Sequence, residues 1–258
     1  NKSRMKRAAA SPPPTTSKAA KRRAVFDPEI VHDVNEYLER FSAGEKQRGG
    51  TAKNHKPCQE LVAQMKEVVS SSGPGAARLH EVIVAYGVSR CFSASSCGMK
   101  KTGGPSAQVS DEEQLKRREF MLSHLERVVQ HLRDAWPSYA GLQRGEDGRA
   151  AAAVDALVDA IKSEFQKKNL SAASKLLNML GLELPIYDSL ARTALGFTKD
   201  VSYSDYLIAW SDSYEPLRAG YLAAMRASLS SRGVDISGVT EEWLCMRAHD
   251  VRLMRRGK

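Results

Sequence analysis

The chain has 258 residues, 42% of them hydrophobic, and a formal net charge of +9 at pH 7. Its apolar runs fall far short of a bilayer span, and its cysteines (Cys58, Cys91, Cys97 and Cys245) are too few in so long a chain to form a disulfide framework. These features exclude an integral membrane protein and a disulfide-stapled secreted scaffold, and point to an intracellular protein with reduced thiols and a substantial core.

The charge is unevenly placed. Residues 1–23 carry Lys2, Arg4, Lys6, Arg7, Lys18, Lys21, Arg22 and Arg23 and no acidic residue, so the remaining 235 residues carry only +1. Residues 1–26 are also rich in Pro, Ala, Ser and Thr. They offer too little apolar surface to offset ordering entropy, and a disordered basic tail is expected. The clusters Lys6-Arg7 and Lys21-Arg22-Arg23, separated by Pro12–Pro14, resemble a bipartite nuclear import signal. The same residues suit contact with phosphates, or serve simply as a solubilising tail.

From residue 27 onward the pattern is helical. Asp27 and Pro28 open a first helix, with Ile30, Val34, Tyr37, Leu38 and Phe41 on one face. A polar loop (44–56) follows, then a helix from Pro57 with Leu61, Val62, Met65, Val68 and Val69 inward, then a short helix over 76–86. Residues 88–110 read as a long loop, the one place where a single domain over 27–258 could divide. Cys91 and Cys97 there, with His55 and Cys58, can be drawn as a zinc site, but the wide Cys-x5-Cys interval favours ordinary thiols, and no metal or other cofactor is assigned.

Ser110 caps a long helix whose first turn holds Asp111, Glu112 and Glu113, favourable to the helix dipole. Trp136-Pro137 is expected to end it. His124 and His131 on this helix lack a metal-binding partner motif and are read as structural. A helix over 149–167 follows, then a short helix capped by Ser171. Gly181 supplies its left-handed end, Pro185 holds Leu184 extended, and Asp188 caps the next helix. Ser202 opens a long helix that Pro216 should kink or break near Tyr214. Thr240 caps a last helix, whose basic end (Arg252, Arg255, Arg256, Lys258) suits its dipole. No segment alternates with the period of a strand, so the fold class is all-α: a compact multi-helix domain.

The stretch Asn169–Gly196 carries the functional signal. On the helix following Ser171, Ala173, Leu176, Leu177 and Leu180 share one face, which leaves Lys175 on the other side, toward solvent or a ligand. Two helices joined by a short turn (154–165, then 171–180), a lysine early in the second, and then Pro185-Ile-x-Asp188-Ser-x-x-Arg192 resemble the core of helix-hairpin-helix DNA glycosylases. The 8-oxoguanine-glycosylase-like members are the nearest in pattern. The resemblance spans about residues 150–200. It implies a helix-hairpin-helix element, DNA as partner and base excision as activity. Lys175 would be the attacking amine and Asp188 the carboxylate that stabilises the oxocarbenium-like sugar. Lys167, Lys168 and Arg192, with Lys21, Arg22 and Arg23 of the tail, would contact phosphates. Tyr187 or Trp210 would stack on the extruded base. The plain reading stands beside it: Lys175 is a solvated lysine, Asp188 a helix cap, and the protein a non-catalytic helical nucleic-acid-binding or protein-interaction module with a basic localisation tail.

Overall fold

The computed structural model describes residues 27–43, 58–93 and 110–258. Among them are nine α-helices, one 3-10 turn at Ser89–Cys91, and no strand, so the all-α expectation holds. The basic tail, including Lys21, Arg22 and Arg23, lies outside the described residues, as do His55 and Cys97 of the drawn zinc site. No group of three or more His, Cys, Asp or Glu among the described residues could hold a metal ion.

The helices are α1 (Pro28–Ala43), α2 (Cys58–Ser70), α3 (Ala76–Ala85), α4 (Asp111–Tyr139), α5 (Asp147–Phe165), α6 (Leu170–Met179), α7 (Ser189–Ala194), α8 (Tyr203–Arg232) and α9 (Glu241–Arg256). The capping residues read from the sequence act as expected at Ser110, Asp188, Ser202 and Thr240, each accepting from a backbone N–H in the first turn. The cap of α6 is different. Asn169, not Ser171, accepts from Ala172 N, and α6 begins one residue later, at Leu170. Neither proline ends its helix: α4 runs through Pro137 to Tyr139, and α8 runs through Pro216 to Arg232. Proline forfeits one backbone bond, but in α8 the rings of Tyr206, Trp210, Tyr214 and Tyr221 are buried on both sides of Pro216 and fix both halves against the core.

Two arrangements tie the helices together. In the first, α4 caps two other helices. Glu126 accepts from Gly75 N at 3.0 Å and Ala76 N at 2.9 Å, at the start of α3. One seven-residue step later Arg133 donates to Val68 O at 3.0 Å and Gly73 O at 2.6 Å, at the end of α2. In the second, the basic end of α9 does more than meet its own dipole. Asp33 of α1, fully buried, accepts from Arg255 at 2.7 Å, Arg252 at 3.2 Å and Tyr221 at 3.1 Å. Arg256 reaches Glu29 at 3.0 Å. Burial raises the Asp33 pKa, while Tyr221 and the two arginines pull it back.

Candidate functional site

The connection between α6 and α7 sets the geometry of the site. α6 is buried nearly all round: Ser174 and Asn178, on the side away from its leucines, are as inaccessible as Leu177. That polar side takes the returning chain. Asn178 Nδ2 donates to Leu184 O at 2.9 Å, and Tyr187 N donates to Ser174 Oγ at 3.0 Å. The second bond sets residues 187 and 188 beside 174 and 175. Two tyrosines of α8 fix the turn from above, Tyr203 on Pro185 O at 2.6 Å and Tyr206 on Ile186 O at 2.7 Å. Asp250 of α9 accepts from Ile186 N at 3.3 Å.

This stapled connection brings Lys175 and Asp188 together: Nζ lies 3.7 Å from Oδ2, with each side chain about one-fifth exposed at 19% and 20%. The other carboxylate oxygen of Asp188 caps α7 by accepting from Leu190 N at 2.9 Å. Asp188 therefore has two partners, one at each oxygen.

Asp188 lines a cleft of about 870 Å³, within the usual size of a ligand pocket. Its walls are Asp155 and Asp159 of α5, Lys168 and the first turn of α6, Asp188 and Arg192, and residues Asp200–Tyr203 leading into α8. Arg192 is largely committed, since its guanidinium pairs with Asp200. Lys168 is exposed on the cleft rim, and Lys167 is exposed beside it. Tyr187 also lines the cleft, but only 6% of its surface is open. Its hydroxyl bonds the Val201 backbone and its ring packs on Tyr206. Trp210 is elsewhere: it is 1% exposed, and its indole N–H donates to Asp250 in the core at 2.8 Å. It presents no face on which a base could stack.

The turn between α5 and α6 uses Gln166, not a glycine, for its left-handed residue (φ 53°). Asn169 also donates to Cys91 Sγ at 2.7 Å, and burial raises the Cys91 pKa against the pull of the nearby Lys175 and Lys167. Among the residues the sequence left unmarked, Ser174, Tyr203 and Asp250 hold the connection in place, and Asp155 and Asp159 form the α5 wall. The tyrosines at 203 and 206, one helical turn apart at the start of a helix, were the legible hint.

Charge divides the chain in a way that bears on nucleic acid. Of its 39 Lys and Arg residues, 14 fall in segments 1–26, 44–57 and 94–109, whereas of its 30 Asp and Glu residues only Glu45 does. The described residues thus hold 25 basic and 29 acidic side chains, a net charge of −4. Compared with protein-family models, with curated proteins and with solved structures, the chain has no significant match. No described helix is long and apolar enough to cross a membrane.

Proposed function

We propose that this chain is a nucleic-acid-associated helical protein whose contacts to phosphate come from its basic segments, above all residues 1–23, with the helical body as a scaffold. The observation that carries this reading is the charge division: a net-negative body joined to segments that hold 14 basic residues and one acidic residue. A polyanion is drawn to a run of uncompensated cations and repelled by a net-negative surface. The body's exposed cations near the cleft share it with Asp155, Asp159 and Asp200, which makes the cleft a poor phosphate track. DNA is the partner put forward, and the bipartite pattern in the tail supports a nuclear site of action. The test replaces all eight basic residues of 1–23 with Gln and measures binding to a labelled DNA duplex. Loss of most of the affinity is expected; an unchanged affinity would contradict a tail-driven contact.

A second reading, a glycosylase-like base-excision activity, is favoured by one observation: Lys175 and Asp188 meet at 3.7 Å beside a cleft large enough for a nucleoside. In that chemistry the N-glycosidic bond would break with its electron pair leaving on the base, Asp188 would stabilise the developing sugar cation, and Lys175 would form the new bond to the anomeric carbon, its amine proton passing to the departing base. Borohydride reduction in the presence of duplexes bearing damaged bases should then leave a covalent adduct that Lys175→Ala abolishes. No adduct across a panel of lesions removes the lyase activity.

A further inference from the structure

The cleft is lined by more carboxylates than cations: Asp155, Asp159, Asp188 and Asp200 against Lys168 and Arg192. Asp188 has Lys175 and Asp200 has Arg192. Asp155 and Asp159, one helical turn apart on the α5 wall and both exposed, pair with no cation among the described residues. Like charges at this spacing repel each other on a bare helix. A cationic occupant would relieve that repulsion.

A cationic segment precedes α1 in sequence. The tail joins the body at Asp27, ahead of α1. The start of α1 is held to the end of α9 by the Glu29–Arg256 pair at 3.0 Å. The next residue, Gly257, packs so closely on the Leu190 backbone that a Cβ there would collide with the Leu190 carbonyl. Leu190 follows Asp188 and Ser189, both on the cleft. The path from Asp27 to the α7 side of the cleft is therefore one side-chain pair and one backbone contact. Lys18 lies nine residues before Asp27, a reach of roughly 30 Å at ~3.3–3.6 Å per extended residue. The cluster Lys18, Lys21, Arg22, Arg23 has no acidic neighbour in sequence to neutralise it before Asp27.

We propose that the basic cluster Lys18–Arg23 docks in this cleft of its own chain, against Asp155 and Asp159. The occupant is chosen by charge complementarity and by where the tail enters the body. It goes beyond the nucleic-acid reading, and its test contains no nucleic acid.

The full-length chain is treated at low salt and high dilution with a carbodiimide, which joins a lysine amine directly to a touching carboxylate. Peptides from the monomer band are then mapped. The expected result is a link from Lys18 or Lys21 to Asp155 or Asp159, lost in the Asp155→Asn/Asp159→Asn variant and at high salt. Both positions are exposed, so this variant keeps the fold. The Lys175–Asp188 pair serves as the internal control for reaction. Recovery of the control link without any tail-to-α5 link overturns the proposal. So do tail links to α5 found only in the dimer band, which would place the occupant in a second copy.

Discussion

Lys175 and Asp188 are thirteen residues apart in sequence and adjacent in space. Their structural and chemical roles separate by substitution. Asp188→Asn keeps an oxygen for the α7 cap, whereas Asp188→Ala removes it, so the Ala variant should be less stable by about 1 kcal/mol and the Asn variant near parental in denaturant unfolding. Lys175→Met should shift stability by less than about 1 kcal/mol, because the pair is partly open to water. Equal losses for Asn and Ala at 188 would show that the charge, not the cap, matters most. His249 makes a second prediction at this scale. Its ring is 1% exposed among Trp210, Tyr214 and Tyr221, with Nε2 on Ser213 at 2.9 Å and Nδ1 without a partner among the described residues. Burial, with Arg252 and Arg256 adding to it, pushes its pKa down to about 3. The unfolded ring takes a proton near pH 6.5 and the folded ring does not until about 3, so this group's stability is full above about 6.5 and is lost as pH falls toward 3. Neighbouring Asp250, raised by burial to about 6, acts in the opposite direction between about 6 and its unfolded value near 4. It is common to both proteins when His249→Phe is compared with the parent, and that variant should lose less stability than the parent between pH 6.5 and 4. Parallel pH profiles would contradict this account.

At the scale of elements, α1 and α9 are joined through buried charge. Asp33→Ala would leave Arg252, 5% exposed at its side chain, with only the half-exposed Glu29 as carboxylate partner. A loss of about 3–5 kcal/mol is expected, measurable as a shift in denaturant midpoint, and a loss below about 1 kcal/mol would show that Glu29 alone compensates Arg252. Glu126→Ala should cost about 1–2 kcal/mol, because the start of α3 loses a charged acceptor for two N–H groups. Element boundaries were largely legible because capping is local: Ser110, Ser202 and Thr240 act where their sequence position puts them. Asn169 was passed over because Ser171, two residues on, is an equally good cap in isolation. What distinguishes Asn169 is its contact with Cys91, remote in sequence. The prolines misled for the same reason: the packing that carries α8 across Pro216 comes from helices elsewhere in the chain. The meeting of Lys175 with Asp188 was not legible as a distance, since it depends on the chain reversal that Ser174, Tyr203 and Tyr206 hold. Nor was the role of Arg252 and Arg255, whose partner Asp33 lies more than 200 residues away.

For the whole molecule, the governing feature is the separation of charge between a net-negative helical body and the basic segments at 1–26, 44–57 and 94–109. Half of this division was plain from sequence, since a tail with eight cations and no anion needs no structure to be seen. The negative sign of the described helices was not, because it depends on which residues the helices take in. The division leads to the central claim, that the basic residues of 1–23 and not the cleft carry most of the nucleic-acid affinity. Its most direct test is the salt dependence of the full chain binding a DNA duplex. Each phosphate neutralised by a tail cation contributes a slope of about −0.9 to log affinity against log salt. A steep negative slope is expected, one that flattens when the eight basic residues of 1–23 are replaced by Gln and is unchanged by Lys168→Gln. A shallow slope in the parent, or a steep slope that survives the tail substitutions, would contradict it.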